Sequence, residues 1–125
     1  MGLGNAPIWP VLPAEDINRA KKFYTEKIGL KIEKDMGDDV LLAAGKGTKL
    51  YIYKRARTKA EHTVAGFDVD NLEKVMEELR GKGVKFEEYD FPGLKTENGV
   101  ATWENGKSAW FTDPEGNIVA INQMS

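Results

Sequence analysis

Trp110-Phe111-Thr112-Asp113-Pro114-Glu115-Gly116-Asn117-Ile118-Val119-Ala120-Ile121-Asn122-Gln123 reads as a turn between two apolar runs. Pro114 presets φ, the Asp113 carboxylate is placed to accept from nearby backbone N–H groups, and Gly116 tolerates φ > 0. An Asp-Pro-acid-Gly-Asn turn between apolar runs predicts a hairpin. Just upstream, Val100 to Glu104 and Ser108 to Phe111 read as strands, and the Pro/Gly-containing stretch Phe91-Pro92-Gly93-Leu94-Lys95 reads as a loop.

At the other end, Ile8-Trp9-Pro10-Val11-Leu12 predicts a short strand, with Pro10 and Pro13 limiting which of its edges can donate hydrogen bonds. Asp16 is a candidate helix N-cap. Ile17, Ala20, Phe23 or Tyr24, and Ile28 follow at helical spacing, and Gly29 ends the pattern. The spacing predicts a helix over about Asp16 to Ile28. Leu30 to Asp35 and Val40 to Ala44 read as strands around Met36-Gly37-Asp38-Asp39. Past the turn Gly45-Lys46-Gly47-Thr48, alternation in Lys49 to Lys54 puts Tyr51 and Tyr53 on one face and Leu50 and Ile52 on the other. Arg55 to Glu61 has no periodicity and reads as a linker.

After that linker the pattern begins again. His62 to Val69 predicts a strand. Asp70 precedes a helix carrying Leu72, Val75, Met76 and Leu79, and Gly81 to Gly83 ends it. Asp16 and Asp70, Gly29 and Gly83, Lys31 and Lys85, and Glu33 and Glu87 are identical pairs 54 residues apart, although the helices align better at 55. The chain is therefore expected to be one α+β domain, residues 1–125, built of tandem βαβββ repeats at about 8–55 and 62–123. Each half alone has one apolar sheet face and one short helix, so the halves must share a core or pair with a partner chain.

The opening strand, the Asp before the helix, Phe23-Tyr24 within it, Ile28-Gly29 after it and the closing hairpin resemble the vicinal oxygen chelate superfamily. That superfamily includes glyoxalase I, extradiol dioxygenases, and bleomycin and fosfomycin resistance proteins. The resemblance runs from about Ile8 to Gln123. It implies a curved mixed sheet with helices on its convex side and a concave cavity, the cup being formed within a chain or across a dimer. It also implies metal ligands, usually His and Glu, at strand positions that fall here on Trp9, within Leu50 to Tyr53 with Tyr51 the best match, on Val64 and on Ala120. Trp, Val and Ala offer no lone pair to a divalent cation, so the expected metal is none, and no cofactor is expected.

His62, the only histidine, lies two residues before Val64 and so on the same strand face. One imidazole is not a metal site, and a hydrogen bond at the strand edge or cavity rim explains it more simply. Asp68 falls on the inferred cavity face and Glu104 on a flanking strand; pairing with a nearby Lys or Arg is the plainer account of Asp68. Asp16 and Asp70 are explained by helix capping. Aromatic residues stand where the ligands are missing. Trp9, Tyr51 and Tyr53 face the concave side, Trp103 and Trp110 lie on strands that can contribute to it, and Asn122 shares the face of Ala120. Such rings give contact area with an N–H or O–H handle, though core or interface packing accounts equally well for Trp110.

The candidate ligand-binding set is thus Trp9, Tyr51, Tyr53, His62, Asp68, Trp103 and Asn122, with no catalytic residue assigned. Three functions compete. The first is a metal-free small-molecule binding protein resembling bleomycin resistance proteins, holding a planar or amphipathic compound in a dimer groove. The second is a glyoxalase-like lyase, or another enzyme of the superfamily, using displaced ligands or acid/base chemistry by Asp68, His62 or a Tyr. The third is an interaction module whose cavity is filled by its own aromatic side chains. The missing His and Glu favour the first over the second.

Composition narrows the remaining classes. At 125 residues the chain is long enough to bury a core. With no cysteine, disulfides, thiolate metal sites and cysteine nucleophiles are excluded. Eighteen basic and twenty acidic residues give a net charge of −2 without segregated blocks, which argues against a nucleic-acid surface. No apolar run approaches the roughly 20 residues of a membrane span, and Met1 to Pro7 has no basic or long apolar region, so the expected location is the cytoplasm. A homodimer is expected, from the resemblance and from an aromatic content beyond what one small core needs.

Overall fold

The computed structural model describes residues 2–124. In chain order the elements are β1 (Val11–Ala14), α1 (Ile17–Lys22) continuing into a wide π turn (Phe23–Lys27), β2 (Lys31–Asp35), β3 (Asp39–Ala43), β4 (Lys49–Lys54) and β5 (Thr63–Asp68), then α2 (Leu72–Gly81), β6 (Asp90–Phe91), β7 (Leu94–Lys95), β8 (Ala101–Trp103), β9 (Gly106–Thr112) and β10 (Ile118–Met124). No described helix is long and apolar enough to cross a membrane.

The repeat is realised as two four-stranded sheets of the same topology. The first has the order β1-β4-β3-β2 and the second β5-β10-β9-β8, and in each the opening strand runs parallel to the closing one. The α+β class and the tandem βαβββ architecture are therefore as the sequence predicts.

Helix capping resolves the ambiguity between 54 and 55. Asp16 caps α1 by accepting from Arg19 N at 3.0 Å, and Asn71, not Asp70, caps α2 by accepting from Lys74 N at 3.2 Å. These caps are 55 residues apart, whereas the terminating Gly29 (φ +94°) and Gly83 (φ +88°) are 54 apart. The first helical segment thus holds one residue more. It is absorbed in the π turn, where Ile28 N donates to Phe23 O at 3.1 Å.

The second half departs from the first in its second strand. Phe86 bridges Phe111, and Glu87 N donates to Trp110 O at 2.8 Å; pairing with β9 then stops and resumes only at Ala101 opposite Ser108. Between the two pieces the chain makes an excursion that carries the small β6–β7 hairpin, where the sequence suggests only a loop.

A single core joins the halves. Leu12, Ala14, Val40, Leu42, Leu50 and Ile52 from the inner face of the first sheet meet Ala109, Phe111, Val119 and Ile121 from that of the second, with Tyr24 and Met76 brought by the helical segments. The closing turn supplies a polar clasp across the same junction. Glu115 Oε1 accepts from the backbone N–H of Glu15 and Asp16 at 2.8 and 3.1 Å, and its Oε2 accepts from Arg19 Nε at 2.6 Å. A carboxylate set against the free N–H groups that open a helix satisfies donors otherwise left unpaired. Asp113 accepts from Tyr24, from the backbone of Glu115 and Asn117, and from Asn117 Nδ2, which also donates to Pro13 O at 3.0 Å.

Candidate functional site

The inner faces are largely spent on the shared core, and the outer faces carry the remaining strand side chains. In β4, Leu50 and Ile52 are buried while Tyr51 and Tyr53 turn outward, opposite Val11 and Pro13 of β1 and Leu41 and Asp39 of β3. Tyr51 donates its hydroxyl to Asp39 Oδ2 at 2.6 Å. That hydrogen bond first, and then desolvation and the carboxylate charge, hold the phenol above its ordinary pKa, so Tyr51 stays a protonated donor and a poor anionic ligand.

On the second sheet, register puts Asp68 opposite Asn122, Gly66 opposite Ala120, and Ser108 and Trp110 on the other side of Asn122 and Ala120. Ser108 Oγ donates to Asn122 Oδ1 at 2.7 Å, which leaves Nδ2 turned toward Gly66, where a Cβ would stand only 3.0 Å from it. Glycine at 66 therefore leaves the Asn122 amide uncrowded. Trp110 packs with Ala101 and Ala120, and is met edge-to-face by Trp103 (centroids 6.0 Å, 87°) and Tyr89 (5.5 Å, 75°).

The sequence-derived candidates thus fall into separate groups. Tyr51 and Tyr53 lie on the outer face of the first sheet; Asp68, Asn122 and Trp103 lie on that of the second, and both faces turn away from the common core. Trp9 precedes β1 and is half-buried, although the ladder reaches Pro10, whose carbonyl accepts from Tyr51 N at 3.1 Å. His62 is exposed and precedes β5, which begins at Thr63, so it is not on a strand face as alternation suggests. Val64 is the extra residue of a bulge, since Thr63 opposes Ile118 and Ala65 opposes Val119; it packs on the shared core instead of facing outward. Glu104 sits in the turn between β8 and β9.

Asp39, Ser108, Tyr89 and Gly66 belong to these faces and are absent from the sequence-derived set. Alternation with Trp110 was a signal for Ser108. Tyr89 carried none, because the excursion that holds it has no period.

The positions at which the superfamily carries metal ligands give here an indole outside the strand, a phenol already bonded to Asp39, a bulged Val64 and the methyl group of Ala120. Among the described residues no three His, Asp or Glu side chains gather to hold an ion. This donor set does not fit a metal, and no chemical step is derived through one.

A cavity of about 450 Å³ opens between β1 and β5, each the edge strand of its own sheet. Leu12, Leu50, Phe67 and Val119 line its depth, with Ile8, Pro10, Lys46 and Asp68 among the residues around it. Of the candidate residues only Asp68 reaches it.

Two βαβββ units sharing one core and joined by an Asp-Pro-acid-Gly-Asn clasp define the vicinal oxygen chelate fold, here with aromatic and small side chains at its ligand positions. The chain belongs to the Glyoxalase/Bleomycin resistance protein/Dioxygenase superfamily, whose family profile matches residues 8–121. It is 30% identical over 118 residues to the uncharacterized protein YetH of Bacillus subtilis (strain 168), covering 87% of this chain and 90% of that one. Its fold is similar to that of TnmS3, an antibiotic binding protein from Streptomyces sp. CB03234 (TM-score 0.76, 23% identity, 100% of this chain and 99% of that chain). It is similar also to that of a lactoylglutathione lyase from Agrobacterium tumefaciens (TM-score 0.71, 20% identity, 96% and 95%).

Proposed function

We propose that this protein is a metal-free small-molecule binding protein, resembling bleomycin resistance proteins, that sequesters a planar or amphipathic compound in a groove completed by a second copy of the chain. The observation that carries the reading is the exchange, at the superfamily's ligand positions, of metal donors for Tyr51 held by Asp39 and for Ala120 set between Gly66 and Trp110. Rings and small side chains offer stacking surface and space in place of Lewis-acid chemistry. The likeness to an antibiotic binding protein supports the reading.

The division of the outer faces supports a homodimer. The Tyr51 and Tyr53 set and the Asp68, Asn122 and Trp103 set turn away from a common core, and the face of another copy would bring the two kinds of surface together. The unpaired edges of β1 and β5, and the exposed Val11 and Ile8 beside them, are the natural contact. The alternative, a glyoxalase-like lyase, has the likeness to the lyase fold behind it, but among the described residues no three His, Asp or Glu side chains gather to hold a metal.

The test is titration of planar and amphipathic antibiotics and metabolites, read by tryptophan fluorescence. Trp9→Ala and Tyr51→Ala are expected to weaken a bound compound by more than about 1 kcal/mol each while leaving the fold intact. If Trp9→Ala unfolds the chain and no compound alters the fluorescence, the rings are packing groups and the binding reading fails.

A further inference from the structure

The cavity between β1 and β5 is distinct from the two outer faces, because its lining comes from the inner side of the sheets. Leu12, Leu50 and Val119 are members of the shared core, and Phe67 packs against it. A space of about 450 Å³ with apolar walls is within the range of pockets that hold small ligands.

Two charges of opposite sign stand around it, and among the described residues neither has an ionic partner. They are Lys46, in the turn between β3 and β4, and Asp68, at the end of β5. Lys49 also borders the cavity but is bonded to Glu33. Lys46 is held against its own preference. Its φ of 56° and ψ of 37° place it in the left-handed region between Gly45 and Gly47, where a third glycine would sit without strain. Strain of this kind persists where a particular side chain is needed, ligand contacts among them.

We propose that this cavity is a second binding site, for a small zwitterion with an apolar side group, of which an apolar α-amino acid is the simplest. The side group enters among Leu12, Leu50, Phe67 and Val119, Lys46 pairs with the carboxylate, and Asp68 pairs with the ammonium group. The site goes beyond the outer-face reading and does not rest on it, because Lys46 lies in a turn and on neither outer face.

L-Phenylalanine, 3-phenylpropionate and 2-phenylethylammonium test it near neutral pH, because they share one apolar body and carry both charges, the negative alone and the positive alone. In calorimetric titration at low salt, L-phenylalanine is expected to bind about fivefold more tightly than either of the others, which is the upper range for one exposed ion pair. Lys46→Gly removes the cation and suits the left-handed backbone, so it should keep the circular dichroism spectrum and bind L-phenylalanine and 2-phenylethylammonium about equally. Asp68→Asn should do the same for L-phenylalanine and 3-phenylpropionate. The titrations are repeated in Val11→Glu, where a mouth covered by a second copy through the β1 and β5 edges would be opened. Equal affinity for the three molecules, a preference that Lys46→Gly leaves unchanged, or binding to neither wild type nor Val11→Glu overturns the proposal and leaves the outer-face reading standing.

Discussion

The Tyr24 hydroxyl donates to Asp113 Oδ2 over 2.6 Å in the protein interior, joining the two sequence motifs that lie at opposite ends of the chain. Tyr24 belongs to the first-half helical segment and Asp113 opens the closing turn of the second half, so the two signatures of the fold are the two sides of one contact. Glu115 extends it to the start of α1, and Asn117 to the carbonyl of Pro13. The clasp secures one half to the other where the shared core ends.

Tyr24→Phe is expected to cost about 1–3 kcal/mol in urea unfolding, because it leaves a buried carboxylate oxygen short of a donor. Burial, the Asp113 charge and the hydrogen bond raise the Tyr24 pKa well above its ordinary value of 10.0. A raised folded-state pKa contributes stability that is present below pH 10 and lost as pH rises through the folded value. The wild-type protein should therefore lose stability above about pH 10 more steeply than Tyr24→Phe, with other tyrosines common to both.

Glu115 governs the opposite limb. Burial alone would raise its pKa, but Arg19 and the N–H groups of Asp16 and Glu15 outweigh that and place it below the ordinary 4.5. Its contribution is present above pH 4.5 and declines as pH falls through the lower folded value. Glu115→Gln should remove about 1–3 kcal/mol at pH 7 and flatten the acid limb of stability against pH. An acid limb unchanged in the variant would show that the carboxylate is not held as the contacts indicate.

Sedimentation at micromolar concentration is expected to show a dimer, with an interface of roughly 1,200–2,000 Å² as stable complexes have. Val11→Glu, which puts a charge on an exposed apolar position of an edge strand, should shift the equilibrium toward monomer while leaving the circular dichroism spectrum intact. A wild-type monomer would refute the shared groove.

Divalent Zn, Ni, Mn or Fe should not raise the melting temperature, and purified protein should carry none in stoichiometric amount. Tight binding at a hundredfold excess over Kd would add about 2.7 kcal/mol, an increment readily detected. A clear melting shift that disappears in His62→Ala would overturn the reading and favour the lyase alternative.

The repeat, both helices, the closing hairpin and the alternation that turns Tyr51, Tyr53, Asp68 and Asn122 outward are legible in the residues alone. These follow from local rules: side-chain period along a strand or helix, caps, and glycines that accept positive φ. Tertiary structure decided what local rules do not encode. A bulge at Val64 moves it to the core and breaks the parity that linked it with His62, because one extra residue in a ladder changes which side chains share a face. The wider turn at Phe23–Lys27 reconciles the two repeat offsets, and the excursion carrying Tyr89 to Trp110 has no period to read. That the two sets of outward residues occupy different faces was also beyond the sequence, since it depends on which sheet surfaces the halves spend on their common core.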